Sequence, residues 1–244
     1  MKNHVDAAHA RAVGLPAETP AKYLKVLDAA EPGLVVHEIY ASVQGESTHA
    51  GRPCTFIRLS ACHLRCSYCD TPHAFGQGER MSRSAVLDVV RSLEIGLVEL
   101  TGGEPLLQAE ALPLMSELAD AGFEVLLETS GALDIRPVDE RVKRIVDLKT
   151  PSSGEVAANR WDNLEVLRPQ DEVKVVIGSR DDYLWAKGAL RQHDIAARCP
   201  VLFGVVHGAL EAEALVEWIL EDRLPVRFQL QMHKFIWDPS ARGV

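Results

Sequence analysis

Residues 55–75 read TFIRLSACHLRCSYCDTPHAF, a short apolar segment followed directly by three cysteines. The first five residues, 55–59, have the β-branched and apolar content of a buried strand. Cys62, Cys66 and Cys69 then follow with the spacing C-x3-C-x2-C. The sequence therefore predicts a cysteine loop at the carboxyl end of a strand, which is where catalytic groups collect in α/β barrels.

The rest of the chain alternates between strand-like and helix-like segments. Eight apolar or β-branched runs occur, at 35–40, 55–59, 97–100, 125–128, 144–148, 173–177, 201–206 and 226–231. Helical spacing between them predicts helices at 82–93, 109–121, 181–193 and 210–222. Such alternation indicates βαβ units and a parallel sheet. Because about six units follow residue 55, fewer than a closed eight-unit barrel needs, we expect an α/β fold, a partial and splayed (β/α)6 barrel.

Length and charge narrow the class of protein further. The chain has 244 residues, 47% of them hydrophobic, and a formal net charge of −9. We expect one core domain over residues 31–244, preceded by an N-terminal extension, 1–30, with a short helix around 22–30. The acidic balance disfavours a protein that binds nucleic acid through phosphate contacts. No apolar run approaches the ~20 residues of a membrane span and no signal-type segment is visible, so we expect a cytosolic protein.

The cysteine loop indicates metal or redox chemistry. The chain has five cysteines, an odd number, and three of them lie within eight residues, which argues against disulfides in a reducing compartment. Three thiolates on one loop can hold a cubane iron–sulfur cluster. Such clusters normally take four cysteines, so a set of three leaves one iron open to another ligand.

A structural zinc site is the alternative for the same loop. It would use the three cysteines together with His63 or His73. Zinc sites of this kind bring a second ligand pair from a distance, whereas Cys54 and Cys199 stand alone in the sequence. These two cysteines are better explained as small buried residues.

Polar residues follow several other predicted strands. Residues 101–105, TGGEP, come directly after the strand at 97–100, and glycines there let the backbone approach a ligand closely or form a tight turn. The carboxyl ends of parallel strands meet at one mouth, so the strand-end groups predict a site for a polar small molecule. Those groups are Glu128, Thr129, Ser130, Asp147, Lys149, Lys174, Gln231, His233 and Lys234.

These motifs resemble those of a known family. The C-x3-C-x2-C loop with Tyr68 before its last cysteine, together with TGGEP, is similar to the radical S-adenosylmethionine superfamily. Three further strings, IYASVQGES at 39–47, CDT at 69–71 and QMHK at 231–234, resemble the 7-carboxy-7-deazaguanine synthases of the queuosine pathway, which supplies a tRNA modification. The likeness runs from about residue 36 to residue 234.

The resemblance implies a radical lyase that converts 6-carboxy-5,6,7,8-tetrahydropterin into 7-carboxy-7-deazaguanine with loss of ammonia. It implies a [4Fe-4S] cluster, S-adenosylmethionine and Mg2+ as cofactors, a flavodoxin-like or similar reductant, and a homodimer. By position, Cys62, Cys66 and Cys69 would bind the cluster and Thr71 the Mg2+. The substrate would be held at Val43, Gln44, Gly45, Arg58 and Thr101, and S-adenosylmethionine at Tyr68, Cys69, Asp70, Gly103, Ser130 and Lys149.

Some points stay open at the level of sequence. Arg58 could pair with a neighbouring carboxylate, and Thr71 could serve as a turn or N-cap residue ahead of Pro72. The strings 147–149 and 202–206 depart from relatives, and the role of Pro239 and the residues after it is undecided. A small enzyme that activates glycyl-radical enzymes is an alternative with the same cysteine loop.

Overall fold

The computed structural model describes residues 5–27, 31–239 and 241–244. Its strands are β1 (Leu34–Val43), β2 (Pro53–Leu59), β3 (Glu79–Met81), β4 (Leu97–Gly102), β5 (Glu124–Thr129), β6 (Lys143–Leu148), β7 (Glu172–Ile177), β8 (Val201–Val205) and β9 (Arg227–Phe228). Its α-helices are α1 (Ala7–Ala12), α2 (Arg83–Ser92), α3 (Ala111–Asp120), α4 (Arg180–His193), α5 (Ala212–Asp222) and α6 (His233–Ile236). Among these helices none is long and apolar enough to cross a membrane.

The strands form one sheet with the order β3-β1-β2-β4-β5-β6-β7-β8-β9. From β2 to β9 every neighbouring pair is parallel, whereas β1 runs antiparallel to both β2 and β3. The sheet is open, because its two edge strands are β3 and β9. The predicted partial barrel is confirmed, and its parallel part places the carboxyl ends of successive strands along one rim.

All eight predicted strands are present, although the last is reduced from 226–231 to the two residues of β9. The start of α2 follows the prediction, since Ser82 accepts a hydrogen bond from the Ala85 backbone N–H. Past the end of α3, Gly122 adopts a φ of +91°, a left-handed conformation that glycine tolerates. The sequence did not predict the three-residue β3.

The segment before β1 packs on the same core as the sheet. Val13, Leu24 and Leu27 are buried in the larger hydrophobic cluster, which also contains residues of β1, β2, β4 and β5 and of the helices α2 and α3. His9 Nε2 lies 2.7 Å from the Leu106 carbonyl oxygen. Where a helix was predicted around residues 22–30, the structure has a single 3-10 turn, Ala21–Tyr23, and residues 28–30 lie outside the described ranges. The division of the chain at residue 30 stays a prediction.

A second hydrophobic cluster packs α4 and α5 against β7 and β8. Tyr183 and Phe203 are fully buried in it and meet edge to face, with ring centroids 6.3 Å apart. Cys199 belongs to this cluster and Cys54 to a smaller one behind β2. Both cysteines are buried and free, as the sequence predicted.

Candidate functional site

A cavity of about 500 Å3 opens at the carboxyl ends of the parallel strands. Its wall is built by the cysteine loop, by the residues that end β4, β5 and β6, by the side chain of Lys174 on β7, and by α6 and the segment 241–244. Every residue that the sequence predicted for the site lines it: Val43, Gln44, Gly45, Arg58, Cys62, Cys66, Tyr68, Cys69, Asp70, Thr71, Thr101, Gly103, Ser130 and Lys149.

The cysteine loop is shaped by Arg65, the residue before its second cysteine. Its guanidinium donates to the carbonyl oxygens of Cys62 and Leu64, at 2.8 and 2.6 Å. The same guanidinium lies between two aromatic rings, 3.6 Å from the centroid of Tyr23 and 4.1 Å from that of Phe75. Residues before β1 therefore help to hold the loop, which the sequence did not indicate.

The three loop cysteines are free thiols. Cys62 is buried, whereas Cys66 and Cys69 are partly exposed to the cavity. Burial raises the pKa of the Cys62 thiol to about 12 and also raises the pKa of Cys66, while the ammonium of Lys149 acts in the opposite direction on both. Binding of a metal centre at these thiols would therefore release protons.

The glycines of TGGEP serve the protein's own packing. A Cβ on Gly103 would lie 2.0 Å from the carbonyl oxygen of Ala61, directly before the first loop cysteine. At that close approach the Gly103 and Glu104 backbone N–H groups donate to the oxygens of Leu59 and Ala61, at 3.0 and 2.8 Å. The tight turn that the sequence allowed is therefore present, and it joins the β4 end to the cysteine loop while Gly102 and Gly103 also line the cavity.

Glu104 anchors the neighbouring strand end. Its fully buried carboxylate accepts hydrogen bonds from Thr129 Oγ1 at 2.9 Å, from the Ser130 backbone N–H at 2.9 Å and from the Ser130 hydroxyl. It also accepts from the Leu106 N–H at 3.1 Å. Sequence reasoning gave Glu104 no role, although a carboxylate in the turn directly after a predicted strand was the available signal.

Lys149 is buried and its ammonium donates to Asp147 at 2.8 Å. Burial would lower the pKa of Lys149, but Asp147 and the neighbouring thiol of Cys66 raise it above its usual value. Asn159, a residue that sequence reasoning missed, pairs with both the N–H and the carbonyl of Lys149, each at 2.8 Å. Tyr68 lies alongside, with its hydroxyl 3.2 Å from Thr150 Oγ1.

A group of charges at the base of the cavity is centred on Lys174. Its ammonium donates to Glu46 at 2.9 Å and to Glu128, and it lies 3.9 Å from Asp147. Burial alone would raise the pKa of Glu128, but Lys174 lowers it below its usual value. Thr101 Oγ1 donates to Glu128 at 3.1 Å, so the predicted substrate residue Thr101 belongs to the same network.

Gln44 is almost completely buried, and its side-chain amide already has two partners. Its NH2 group donates to Glu99, and its carbonyl accepts from the Glu46 N–H at 2.5 Å. Burial and the nearby charge of Glu128 raise the pKa of Glu99 well above its usual value. Gly45 is needed because a Cβ there would lie 2.5 Å from Nδ1 of His233.

Arg58 lines the cavity but also has partners within the protein. Its Nε donates to Glu38 at 2.7 Å and its Nη2 to the Tyr40 hydroxyl at 2.8 Å. The pairing with a neighbouring carboxylate that the sequence left open is therefore present. This ion pair orients the guanidinium of Arg58 at the cavity wall, because Glu38 and Arg58 are cross-strand partners in β1 and β2.

Asp70 and Thr71 follow the last loop cysteine. The Asp70 carboxylate accepts from Gln231 and Lys234, each at 3.3 Å, which ties α6 to the loop. Thr71 precedes a 3-10 turn, Pro72–Phe75, but its side chain does not cap that turn. Its hydroxyl lies 3.8 Å from Cys69 Sγ. The turn position that the sequence allowed for Thr71 is thus present without using its hydroxyl.

Several positions whose role the sequence left open also line the cavity. Pro239, Arg242, Gly243 and Val244 line its wall. Asp147 and Val206, from the two strings that depart from relatives, line it as well. The described residues 238–239 and 241–244 are thereby part of the cavity wall.

The geometry of the cysteines bears on the zinc alternative. Thiolates bound to one zinc ion lie roughly 3.8 Å apart, given a Zn–S distance of about 2.3 Å and tetrahedral angles. Three side chains that could ligate a metal have all their ligand atoms within 4.8 Å of one another, namely His37, Glu38 and His73. Within the described ranges this is the one group of that kind. The loop cysteines do not form such a group, and three thiols that line one cavity suit a multi-iron cluster.

Comparison with known proteins identifies the family. Residues 56–193 match the model of the radical SAM superfamily. The 7-carboxy-7-deazaguanine synthase of Chlorobaculum tepidum is 48% identical over 217 residues, which cover 88% of this chain and 99% of the relative. That of Koribacter versatilis is 44% identical over 86% of this chain and 99% of the relative. These relatives do not favour the glycyl-radical activating alternative.

The fold has a counterpart among solved structures. The crystal structure of QueE from Escherichia coli superposes with a TM-score of 0.70 at 22% identity, covering 84% of this chain and 96% of that one. At this identity the likeness concerns the fold alone. The extent of the sequence matches decides the assignment: this chain belongs to the 7-carboxy-7-deazaguanine synthases, a family of radical SAM enzymes.

Proposed function

We propose that this protein converts 6-carboxy-5,6,7,8-tetrahydropterin into 7-carboxy-7-deazaguanine with loss of ammonia, as a step in 7-deazapurine biosynthesis. The observation that carries the proposal is that all fourteen residues expected from the resemblance line one cavity of about 500 Å3. Chance placement would scatter them, since they come from five different strand ends and two loops. The names of the relatives support the same activity.

Cys62, Cys66 and Cys69 would hold a [4Fe-4S] cluster whose open iron binds S-adenosylmethionine. When bound, these two cofactors supply the radical that starts the ring contraction. The chain then has to position S-adenosylmethionine, for which Tyr68, Asp70, Gly103, Ser130 and Lys149 are the candidates. Glu104 supports this set, because it fixes the Ser130 backbone and hydroxyl.

Substrate binding would use the opposite wall. Arg58 presents a guanidinium beside Glu38 and Tyr40, and a guanidinium fork can bind both oxygens of a substrate carboxylate. Val43, Gln44, Gly45 and Thr101 border the charges around Lys174. Because the amide of Gln44 is already paired, its role would be to hold Glu99 and Glu46 in place around the pterin.

Thr71 would offer its hydroxyl to Mg2+, a hard cation satisfied by oxygen ligands. Thr71 lines the cavity and its hydroxyl does not cap the following turn, which supports this role. A homodimer and a flavodoxin-like reductant are further expectations from the family. Exposed apolar side chains at the edge of the sheet near β9, Leu230, Phe235 and Ile236, are consistent with a subunit contact. A cytosolic location stays a prediction.

The direct test is an anaerobic assay of the cluster-loaded protein with S-adenosylmethionine, dithionite, Mg2+ and 6-carboxytetrahydropterin. Mass spectrometry should detect the ring-contracted product. Cys66→Ala should lose both the broad visible absorption of the cluster and all turnover. A cluster-loaded protein that cleaves S-adenosylmethionine but leaves this pterin unchanged would overturn the substrate assignment.

The magnesium role has its own test. Thr71→Ala should weaken the Mg2+ dependence of turnover, whereas Thr71→Ser, which keeps the hydroxyl, should retain it. Equal activation by Mg2+ in the wild type and Thr71→Ala would exclude the threonine as a ligand. Light scattering of the purified protein measures the oligomeric state.

A further inference from the structure

His37, Glu38 and His73 form a cluster that the proposed reaction does not use. Their ligand atoms all lie within 4.8 Å of one another, and the three side chains are partly buried. The two imidazole rings approach to 5.1 Å between centroids. The cluster lies at the edge of the cavity, since Glu38 and His73 line it.

A β-bulge brings the first two of these residues together. Neighbouring residues of a regular strand point to opposite faces, so His37 and Glu38 could not share one ion in an ideal β1. In the structure the pairing steps from Val36–Leu59 to Glu38–Arg58, so that His37 is one extra residue in β1. Bulges of this kind redirect side chains, and they are common beside functional sites.

The outer contacts of the cluster are those of metal ligands. His37 Nδ1 lies 3.1 Å from the carbonyl oxygen of Gln77, to which a protonated Nδ1 donates, leaving Nε2 with its lone pair free. Metal-binding histidines are oriented by such a bond to a backbone carbonyl. Glu38 is held from the other side by Arg58, which bonds one carboxylate oxygen and leaves the second available.

We propose that His37, Glu38 and His73 bind one divalent transition-metal ion, of which Zn2+ is a suitable probe. Two imidazoles and one carboxylate are a ligand set found in zinc sites with an open position. Imidazole nitrogen also selects such ions over Mg2+, which prefers oxygen. This ligand set shares no residue with the cysteine thiols or with the hydroxyl of Thr71.

The ion would have a structural consequence for the cavity mouth. His73 belongs to the turn after the cysteine loop, and His37 and Glu38 belong to β1, which lies between β3 and β2. One ion would join the turn to β1. It would lie next to Arg58, because the ion and Arg58 would both bind Glu38.

The test is Zn2+ binding to the cluster-loaded protein under anaerobic conditions, in which the loop cysteines are occupied by iron. Calorimetry should give one Zn2+ per chain. X-ray absorption at the zinc edge should show nitrogen and oxygen ligands at about 2.0–2.2 Å and no sulfur near 2.3 Å. Because the readout is binding, it holds whether or not the proposed reaction is correct.

His37→Ala, His73→Ala and Glu38→Gln should each weaken Zn2+ binding by at least about 100-fold, since loss of an outer partner alone costs 10–100-fold. His193→Ala is the matched control, because His193 stacks on Trp161 and contributes no ligand atom to the cluster, and binding should be unchanged. His73→Gln keeps the polar bulk if the alanine variant unfolds. Absent binding, sulfur ligands, or equal affinity in wild type and variants would overturn the proposal.

Discussion

Two buried ionic clusters of this protein differ in their charge balance and in their roles. In the first, Asp171 is fully buried between Arg144 and Arg168. Its carboxylate accepts from the backbone N–H groups of both arginines, at 3.0 and 2.8 Å, as well as from their guanidinium groups. The guanidinium groups in turn donate to the carbonyl oxygens of Val166 and Val142, each at 2.6 Å.

The second cluster, around Lys174, is bonded mainly through side chains. Lys174 meets the carboxylates of Glu46, Glu128 and Asp147, which outnumber the nearby ammonium groups of Lys174 and Lys149. The Oδ1 atom of Asp147 is buried without a hydrogen-bond partner among the described residues. All of these groups face the cavity.

The difference shows how a structural ion pair can be distinguished from a binding site. The Asp171 cluster has its hydrogen bonds completed by fixed backbone groups, so nothing remains for a ligand. The Lys174 cluster has excess negative charge and an unpaired oxygen, which only water or a bound molecule can satisfy. Stability should therefore depend on the first cluster and activity on the second.

The largest loss of stability is expected for Asp171→Ala. It leaves two arginines without their buried carboxylate, which costs about 3–5 kcal/mol of unfolding free energy. Urea unfolding measures this loss, and turnover per folded molecule should change little. Asp162→Ala is the control. Asp162 is exposed and forms a loose ion pair with Arg160, with 3.9 Å between the charged atoms, so its loss should hardly change the free energy of unfolding.

Lys174→Met should have a smaller effect on stability, about 1–2 kcal/mol, because the freed carboxylates can take up water or protons from the cavity. Turnover should fall by at least about 100-fold if the cluster binds the substrate, a loss of roughly 2.7 kcal/mol in the barrier. A variant that unfolds as easily as Asp171→Ala while keeping its activity would remove the distinction between the two clusters.

Glu99→Gln should change the free energy of unfolding still less, and at high pH it should make the protein more stable than the wild type. Burial and Glu128 raise the pKa of Glu99 in the folded state, so the folded protein binds this proton more tightly than the unfolded chain. The wild type therefore loses stability as the pH rises from the pKa of Glu99 in the unfolded chain toward its higher pKa in the folded protein. The variant cannot lose that proton, and its unfolding free energy should fall less between pH 5 and pH 8. An identical fall in both proteins would contradict the raised pKa.

The smallest effect is expected at the partly exposed cluster of Glu124 with Arg52 and Lys143. Hydrogen bonding from Arg52 and Lys143 lowers the pKa of Glu124 to about 2, from an ordinary value of 4.5. The stabilisation that Glu124 gives to the folded state is therefore present at a pH above its ordinary pKa and is lost as the pH falls toward 2. Glu124→Gln should cost less than about 1 kcal/mol at pH 7, and high salt should reduce this difference.

Much of the fold followed from local pattern. The strands that became β2 and β4–β8 were visible as apolar runs, and Ser82 marked the start of α2 because a serine side chain caps helices locally. The antiparallel β3 was missed, since three residues give too short a pattern. The bulge at His37 was missed as well, because it depends on the register between β1 and β2 rather than on either strand alone.

The candidate site was predictable to a similar degree. Cys62 and Gly103 came from motifs with fixed spacing, and the strand order brings them to one rim. The partners of those residues were not predictable. Glu104 meets Ser130 across 26 positions, and Lys174 meets Glu46 across 128, and such pairings carry no local signal.

The sequence by itself determined the element types, the cysteine loop and the rim on which the polar residues gather, because periodicity, capping and motif spacing are properties of neighbouring residues. Only the tertiary structure decided which buried charges are saturated and which remain open. That depends on long-range pairing: backbone groups enclose Asp171, whereas a cavity borders Lys174. Buried charged groups acquire different roles because the surrounding backbone and solvent set the free energy of a buried charge.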